Sequence, residues 1–471
     1  MEVSMICTEK PKDGITKEQP FFIGTGGSDN FRIPGIVTLN NGTVIASCDA
    51  RWDGVADSAG LDSIVSCSND CGATWNYTFA NYLGDNGNVR NLNSTCFIDP
   101  GIATDGEKVC LIADLFPAGY ATNSSMYNPR VDGIGFDEEG HLLLRSIDAV
   151  KVPFGSREFE EAAHNAEYLY YLAYTDETKN SYSIYERANK TLVEGYVVDL
   201  FFNITYQNAE GNKVESNLFF SDSPYQVFPT NYLYMTTSFD GQNWSAPTLL
   251  NLKRKEEATL LVGPGNGTYD KKNHRFIFTA YQHSPHQPEF ACLIWMDENG
   301  TWKRTENATI HTWSSESTSI VLEDGTVRCF YRDEFQQLRY TDYSYDAERG
   351  NYYRNPEKTE VVTEATKTTC CQLSSIMYSK KIEGKDAIIV VTPNAEGRIR
   401  ANGCLYVFLV EKDNSMKLAY SYPFNKGFYA YSCLTELSDG RIGLLWESAD
   451  SQITYSIISM EDILCYCSHS S

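Results

Sequence analysis

An arginine lies inside an apolar run near the start of the chain. Arg32 stands between Phe31 and Ile33 in NFRIPGIV, a stretch that otherwise has the composition of a buried strand. Burying an unpaired guanidinium is costly, so such a side chain normally meets an anion. We therefore expect another part of the chain, or a ligand, to supply an anion to Arg32.

Two further patterns contain residue types that could bind a metal ion. His283 and His286 in QHSPHQ have a spacing that suits a metal ion, but no third group of ligands accompanies them. The 14 cysteines are irregularly spaced, and no pair of CxxC motifs has zinc-finger spacing. We interpret the histidines as part of a surface turn and predict no metal site.

Three segments share one pattern, which consists of an apolar strand, a turn with Asn-Gly or Asp-Gly, and a second apolar strand. The pattern occurs in GIVTLNNGTVIASCDA, TSIVLEDGTVRCFYRD and SCLTELSDGRIGLLWES. These dipeptides are typical of β-hairpin turns. Repetition of one antiparallel hairpin indicates a β-propeller, which leaves few free sheet edges.

A second repeat has the form Ser-X-Asp-X-Gly-X-Thr-Trp. It is complete in SNDCGATW at 68–75, one residue shorter in SFDGQNW at 238–244, and degraded in SYDAERGNYY from Ser344. Asp and Gly suit a tight turn, because the carboxylate accepts backbone N–H groups and Gly takes positive φ. We interpret these Asp boxes as folding motifs that dock a Trp onto the sheet.

Residues 121–228 interrupt this rhythm, since segments such as EYLYYLAYTDETKNSYSIYE contain few short turns. We predict an inserted domain at 121–228 within a propeller formed by 1–120 and 229–471. The Tyr-rich insertion either shapes a binding cleft or only decorates the scaffold.

Charge and composition exclude some functions. The formal net charge of -23 disfavours binding to nucleic acid, and an anionic ligand would need a local basic cluster. The sequence contains no run of eighteen apolar residues, so we predict no membrane-spanning helix. Asn-X-Ser/Thr sequons recur, for example at Asn41, Asn76 and Asn243, and they favour a secreted or cell-surface location.

Phe-Arg-Ile-Pro at 31–34, together with the Asp boxes at 68 and 238, resembles the exo-sialidase (neuraminidase) family. The resemblance runs from about Phe22 to Ile458. It is weakest in the insertion, which looks like the extra domain of secreted bacterial-type sialidases and intramolecular trans-sialidases. We predict an all-β fold, a six-bladed β-propeller with a small inserted domain. The resemblance implies no cofactor and no catalytic metal.

The family holds the sialic acid carboxylate with three arginines, because a guanidinium can grip a carboxylate with two parallel hydrogen bonds. The first is similar to Arg32, and the second to Arg332 at the end of TSIVLEDGTVRCFYR. The third fits Arg400 in RIRANG, which matches the family pattern Arg-X-Asn-Gly. Arg398, two residues before it, is the rival.

Sialidases use a tyrosine as nucleophile, because an anionic nucleophile would be repelled by the substrate's own carboxylate. The matching residue is Tyr431 in KGFYAYSCL, with Tyr429 as the alternative. A phenol needs activation by a base. The resemblance assigns that role to Glu316, which lies sixteen residues before Arg332.

The family's acid/base is expected on a loop after the second strand. Its position falls on Asp57, and Asp53 is the alternative because the alignment is loose there. Glu447 in LLWES matches the acid that orients the first arginine. Arg51 and Asp99 occupy positions that contact the O4 hydroxyl of the sugar in related enzymes, although a structural salt bridge is the competing interpretation for each.

Three hypotheses follow. The leading one is a retaining exo-sialidase that removes terminal sialic acid from glycoproteins or glycolipids. The second is an intramolecular trans-sialidase that releases 2,7-anhydro-sialic acid, in which an aromatic wall excludes water. The third is a non-catalytic Asp-box propeller that binds carbohydrate.

Overall fold

The computed structural model describes residues 10–52, 54–58, 60–84, 94–121, 128–130, 133–147, 167–284, 287–333, 335, 337–366 and 370–468. The first strands are β1 (Gly14–Lys17), β2 (Asn30–Thr38), β3 (Val44–Arg51), β4 (Leu61–Ser68), β5 (Thr74–Asn81), β6 (Cys96–Thr104) and β7 (Val109–Phe116). The next are β8 (Leu142–Ser146), β9 (Tyr170–Tyr174), β10 (Tyr182–Glu186), β11 (Tyr196–Val198), β12 (Asn203–Gln207), β13 (Lys213–Asn217) and β14 (Tyr225–Val227).

The second half continues the same design. Its strands are β15 (Tyr232–Ser238), β16 (Thr248–Leu250), β17 (Thr259–Val262), β18 (Gly265–Asn266), β19 (Thr268–Asp270), β20 (Arg275–His283), β21 (Phe290–Met296), β22 (Trp302–Asn307), β23 (Ser317–Val321), β24 (Val327–Tyr331), β25 (Gln337–Asp346), β26 (Asn351–Arg354), β27 (Val361–Thr366), β28 (Ser374–Ile382), β29 (Lys385–Pro393), β30 (Gly403–Val410), β31 (Met416–Pro423), β32 (Ser432–Glu436), β33 (Ile442–Ala449) and β34 (Gln452–Ile458). They are followed by helix α1 (Met460–Ser468). Short 3-10 helices span Thr25–Gly27 and Pro356–Lys358.

The fold is all-β with a propeller-like arrangement of sheets, as predicted. A ten-stranded sheet has the order β1-β5-β4-β6-β7-β15-β16, with β2, β3 and β18 attached to it. Smaller sheets are formed by β17 and β19–β22, by β23–β27, by β28–β31 and by β32–β34. The number of blades stays a prediction.

Inner strands of these sheets surround a common axis. Strand β2 contacts both β6 and β32, and β28 contacts both β23 and β32. Apolar clusters fill the spaces between neighbouring sheets, with Trp75 and Trp295 fully buried among them. Side chains at the ends of the inner strands are therefore brought close together although they are far apart in sequence.

The three predicted hairpins are confirmed. They are the antiparallel pairs β2–β3, β23–β24 and β32–β33, whose turns close at Thr38–Val44, Val321–Val327 and Glu436–Ile442. The turn glycine of each hairpin has positive φ, with values of 88°, 93° and 86° at Gly42, Gly325 and Gly440. Only glycine takes this conformation at little cost, which explains its place in the motif.

A seven-stranded sheet of order β13-β12-β11-β10-β9-β8-β14 lies within the segment predicted as an insertion. Its apolar side chains, including Leu144 and Ile184, pack against Leu111, Ala113 and Leu115 of β7. The domain boundaries at 121 and 228 stay a prediction. No helix in the described part of the chain is long and apolar enough to cross a membrane.

The Asp boxes fold as turns that fix a tryptophan. Asp70 accepts hydrogen bonds from the N–H and the hydroxyl of Thr74 at 2.8 and 2.6 Å, and the Trp75 indole donates to the carbonyl of Gly72 at 3.0 Å. In the second box Trp244 donates in the same way to Gly241, at 3.0 Å. The interpretation of these repeats as folding motifs agrees with this geometry.

Removal of the first Asp-box carboxylate should destabilise the protein. Asp70→Ala leaves two donors of Thr74 without their acceptor and loosens the turn that holds Trp75, so we expect a loss of about 1 kcal/mol or more in the free energy of unfolding. Urea denaturation followed by tryptophan fluorescence measures this loss. Asp176→Ala is the control, since Asp176 bonds Thr178 in a turn without a buried Trp; an equal loss in both variants would contradict the docking role.

Candidate active site

A cavity of about 590 Å³ opens where the inner strands end. Every predicted site residue except Arg51 and Glu447 lines it, namely Arg32, Asp57, Asp99, Glu316, Arg332, Arg400 and Tyr431. Arg398, the rival of Arg400, lines it as well. Residues separated by up to 399 positions in the chain, such as Arg32 and Tyr431, thus share one cavity.

A β-bulge directs Arg32 out of its strand. The register of β2 against β3 shifts between Arg32 and Gly35. Ile33 inside this bulge has φ of 63°, a left-handed conformation that costs a β-branched residue about 1–3 kcal/mol. Bulges bend a strand and change the direction of a side chain. The strained backbone therefore serves to place the guanidinium in the cavity.

Glu447 supplies the internal anion that the sequence predicts for Arg32. The Arg32 Nε and Nη2 donate to Glu447 at 3.1 and 3.4 Å, and the backbone N–H of Ile33 donates to the same carboxylate at 3.0 Å. Burial alone would lower the pKa of Arg32, but Glu447, Tyr431 and Asp57 together raise this pKa above its usual value. The guanidinium is therefore held both in position and in its charged form.

Tyr431, Glu316 and Arg332 form a closed set of contacts. The Tyr431 hydroxyl donates a short hydrogen bond to Glu316 Oε1. Arg332 Nη1 donates to Glu316 Oε2 at 2.5 Å and to the Tyr431 hydroxyl at 3.2 Å. The carboxylate is thus placed to take the phenol proton, while the arginine faces the oxygen on which negative charge would develop.

Two further guanidinium groups lie against the Tyr431 ring. The Cζ atoms of Arg32 and Arg400 are 5.4 and 5.1 Å from the ring centroid. Burial raises the pKa of Tyr431 well above its usual value, Glu316 raises it further, and Arg332 and Arg400 oppose the rise. The phenol is therefore neutral in the free protein and loses its proton only when Glu316 accepts it.

The structure distinguishes between the sequence alternatives. Arg400 is half-buried against Tyr431, whereas Arg398 is exposed at the cavity rim. Tyr429 is fully buried in the core, where its ring packs on Trp446 at 5.3 Å, so of the two alternatives Tyr431 is the one that lines the cavity. Asp53, the alternative to Asp57, lies outside the described residues.

Asp57 is the exposed carboxylate of the cavity. Its side chain is 58% exposed, and it accepts hydrogen bonds from Arg51 Nη1 at 2.6 Å and Arg32 Nη1 at 3.4 Å. Burial would raise the pKa of Asp57, but Arg51, Arg32 and Arg400 together lower it below its usual value. The free protein therefore carries Asp57 as an anion.

Arg51 is placed differently from the sequence expectation. Its side chain is fully buried, it is not among the residues that line the cavity, and it is held between Asp57 and Asp49, the latter at 2.8 Å. Arg51 Nη1 also donates to the carbonyl of Val55 at 2.6 Å. The competing interpretation, a structural salt bridge, therefore describes Arg51 better than a sugar contact: it fixes the loop that carries Asp57.

Asp99 lines the cavity beside a second bulge, where the register of β6 shifts between Ile98 and Gly101. The backbone φ of Asp99 is 58°, so this strand too carries a strained residue at the site. Burial raises the pKa of Asp99 well above its usual value, and the negative charge of Glu316 raises it further. Both effects favour the neutral form of Asp99, which can donate a hydrogen bond.

Sequence reasoning missed several cavity residues. Trp313 stands three residues before Glu316 and lines the wall together with Phe116 and Tyr281. His283 also lines it, and its Nδ1 lies 2.8 Å from Glu289 in the same wall. Trp313 is close in sequence to Glu316, a predicted site residue, and this proximity is the only sequence feature that indicates a place in the cavity.

The Tyr-rich insertion contributes no lining residue among those described. The expectation that it shapes this cleft is not supported, since the aromatic lining comes from the ends of β7 and β20 and from the segment before β23.

His283 lies in the cavity wall and not in a free surface turn, and His286 lies outside the described residues. No group of three or more His, Cys, Asp or Glu within the described residues is placed to hold a metal ion.

Comparison with known proteins agrees with this geometry. Residues 203–444, about half of the chain, match the model of the BNR repeat-like domain family. Sialidase B of Streptococcus pneumoniae is 32% identical over 455 residues, which cover 89% of this chain and 62% of that protein. The chain belongs to the sialidase family.

Two other members of the sialidase family extend the comparison. The anhydrosialidase of Macrobdella decora is 29% identical over 96% of this chain and 62% of its own length. The crystal structure of an intramolecular trans-sialidase from Ruminococcus gnavus superposes with a TM-score of 0.73 at 26% identity, covering 94% of this chain and 97% of that one. The present sialidase-family chain thus spans 62% of the length of the two curated relatives.

Loss of the Glu447 charge should destabilise this sialidase-family protein. In Glu447→Gln the side chain keeps its size, but Arg32 loses its buried partner, so we expect a loss of about 3 kcal/mol in the free energy of unfolding. Urea denaturation at neutral pH measures it. Glu257→Gln is the matched control, because Glu257 holds Arg304 through two contacts of 2.8 Å outside the cavity lining. The control should lose a similar amount. If only Glu257→Gln lost stability, Asp57 would be a sufficient partner for Arg32, and the structural role of Glu447 would be contradicted.

Proposed function

We propose that the protein is a retaining exo-α-sialidase that removes terminal sialic acid from glycoconjugates through a covalent tyrosyl intermediate. The observation that carries this proposal is the hydrogen bond from Tyr431 to Glu316 among Arg32, Arg332 and Arg400. A phenol paired with a carboxylate, next to three guanidinium groups, suits a substrate that bears its own negative charge at the reacting carbon.

Binding begins with the substrate's carboxylate. Arg32, Arg332 and Arg400 converge on the Tyr431 ring, so a carboxylate bound to them would lie next to the phenol oxygen. Bidentate contacts to guanidinium fix both the position and the plane of a carboxylate. In its neutral form Asp99, which lines the same cavity, would donate a hydrogen bond to a sugar hydroxyl.

The chemical steps follow from the groups in place. The Tyr431 oxygen attacks the anomeric carbon while its proton passes to Glu316, and the bond from that carbon to the leaving oxygen breaks as Asp57 supplies a proton. In the second step Asp57 takes a proton from water, the resulting oxygen attacks the anomeric carbon, and Tyr431 leaves with the proton returned by Glu316. General acid and base steps of this kind contribute about 10²–10⁴-fold each.

Substrate binding also helps to protonate Asp57. In the free protein Asp57 shares Arg32 with Glu447. A substrate carboxylate that binds Arg32 and Arg400 offsets the positive charge that lowers the pKa of Asp57, so this pKa rises towards a value at which the acid can hold its proton.

A second candidate function is intramolecular trans-sialidation, in which a hydroxyl of the bound sugar resolves the intermediate and 2,7-anhydro-sialic acid is released. Two observations favour it. Trp313, Tyr281 and Phe116 give the cavity an aromatic wall that would limit access of water. Similar proteins are named anhydrosialidase and intramolecular trans-sialidase.

We further propose a secreted or cell-surface location, where sialylated glycoproteins and glycolipids are available, on the basis of the sequons.

We also propose that the propeller has six blades. The ten-stranded sheet contains two antiparallel runs, β2–β5 and β6-β7-β15-β16, which are joined by a single parallel bridge between Leu61 and Cys96. These two runs and the four smaller sheets make six groups of strands.

Loss of either reacting group should abolish turnover of a fluorogenic sialoside. We expect Asp57→Ala to lower kcat by about 10²–10⁴-fold, and Tyr431→Phe to lower it at least as much, because acid catalysis and the nucleophile are removed. Circular dichroism should show an intact fold in both. Full activity in both variants would refute the assignment.

Asp99→Asn serves as the matched control. The isosteric amide reproduces the size and the donor capacity of the neutral acid that burial favours at Asp99, and we expect a loss of less than about tenfold in kcat/KM. A wild-type protein that binds the planar unsaturated analogue of sialic acid tightly but turns over no sialoside would instead indicate a non-catalytic binding propeller.

Product analysis separates the two candidate functions. NMR spectra of reactions with α2,3-, α2,6- and α2,8-linked sialosides should show free sialic acid if water resolves the intermediate, and 2,7-anhydro-sialic acid if the sugar hydroxyl does so. Trp313→Ala opens the aromatic wall, so it should raise the share of free sialic acid in any mixture. An unchanged product ratio in Trp313→Ala would exclude the wall as the determinant.

A further inference from the structure

A buried amide contacts the strand that carries Tyr431. Gln372 precedes β28 and is 1% exposed. Its Oε1 accepts a hydrogen bond from the backbone N–H of Ser432 at 2.9 Å, and its Nε2 donates to the carbonyl of Ser432 at 3.0 Å. The same Nε2 donates to the carbonyl of Pro264 at 3.1 Å. All polar atoms of this side chain are thus directed to the backbone of other segments.

We propose that Gln372 is a positioning residue for Tyr431, an inference that rests on the function proposed above. Ser432, the residue after Tyr431, starts β32, which within the described residues pairs only with β33. No other described strand pairs with the opposite edge of β32, although β2 and β28 contact this strand. The Gln372 amide bonds both the N–H and the carbonyl of Ser432, as a peptide group of a paired strand would do.

The opposite side of Tyr431 is held by Glu447. The backbone N–H of Glu447 donates to the carbonyl of Tyr431 at 2.9 Å, and the Tyr431 N–H points to the Glu447 carboxylate at 3.5 Å. Tyr431 and Ser432 are therefore held from one side by the β33 backbone and from the other by Gln372. Without the amide, this edge would be held from one side only.

The contact with Pro264 joins this strand to the frame of the cavity. Gly265 pairs with Gly101 of β6, two residues after Asp99. A Cβ on Gly265 would lie 2.8 Å from Gln372 Nε2, and the φ of this glycine is 103°, so a glycine is needed to admit the amide. Gln372 thus fixes the distance between the strand of the nucleophile and the strand of Asp99.

Loss of this link should affect turnover more than binding. The phenol oxygen has to stay within hydrogen-bond reach of Glu316 while it approaches the anomeric carbon, and displacement by about 1 Å can cost on the order of 10²-fold in rate. Arg32 is held by Glu447 and Arg332 by Glu316, so most of the binding of the substrate's carboxylate is retained. The expected signature is a lower kcat at a nearly constant KM.

The chain contains a matched control for this geometry. Gln19 Nε2 donates to the carbonyl of Tyr455 at 3.1 Å, and its Oε1 accepts the N–H of Tyr455 at 2.5 Å. This is the same pair of contacts from a side-chain amide to one residue of a strand, β34. Neither Gln19 nor Tyr455 is among the residues that line the cavity.

The experiment compares Gln372→Met with Gln19→Met in the full chain. Both variants should lower the melting temperature. We expect only Gln372→Met to reduce kcat for a fluorogenic sialoside, by about 10–100-fold, with KM changed by less than about threefold. Equal kcat values in Gln372→Met and wild type, or an equal fall of kcat in both variants, would overturn the proposal.

A second pair of variants covers failure of Gln372→Met to fold. Gln372→Glu keeps the size of the side chain and the acceptor for the Ser432 N–H, but its carboxylate faces the carbonyls of Ser432 and Pro264. Its kcat relative to wild type should rise as the pH falls, since a protonated acid can donate again, whereas Gln19→Glu should show no such recovery. A ratio independent of pH would contradict the positioning role.

A wild-type protein without any turnover would overturn the proposed function and this inference together. Assay of the wild-type protein reveals that outcome before any variant is made.

Discussion

The hydrogen bond between Tyr431 and Glu316 is the interaction on which the site depends. A buried phenol resists ionisation, so the Tyr431 oxygen would be a poor nucleophile without a base beside it. Arg332 donates a hydrogen bond to both side chains, and its positive charge stabilises negative charge on either of them. Arg32 has Glu447 as its own partner, whereas Arg400 makes no ion pair with an acid of the described residues. Arg400 is therefore available to an anionic ligand in the cavity of an acidic protein.

This arrangement requires a rigid frame, because charges in a poorly solvated cavity are sensitive to small displacements. Two bulges with left-handed residues, Ile33 and Asp99, direct side chains into the cavity at a cost of about 1–3 kcal/mol each. Glu447 offsets part of the first cost by accepting the Ile33 N–H. The sheets surrounding the axis hold both bulges in place, so their strain is not relieved by local motion.

Sequence predicted the features that depend on neighbours in the chain. Asn-Gly and Asp-Gly specify the hairpins through the positive φ of glycine, and the Asp boxes specify their own turns. The sequence left open what strand pairing decides, such as the choice between a sugar contact and a structural salt bridge at Arg51. Arg51 pairs with Leu61, and this register sends its side chain into the core between Asp49 and Asp57, which its local sequence does not show. Trp313 lacked a motif, so its place in the wall followed only from the fold.

The remaining conflict at the site concerns the proton on Asp57. A general acid must hold a proton, yet Arg51, Arg32 and Arg400 keep Asp57 ionised in the free protein. Arg51 is buried and cannot be released, so only the charges of Arg32 and Arg400 can be offset by a ligand. A neutral sugar of the same shape would leave Asp57 ionised and unable to protonate the leaving oxygen. Under the proposed function the substrate's carboxylate would be needed for the chemistry as well as for affinity, and selectivity for acidic sugars would follow from the site's own electrostatics.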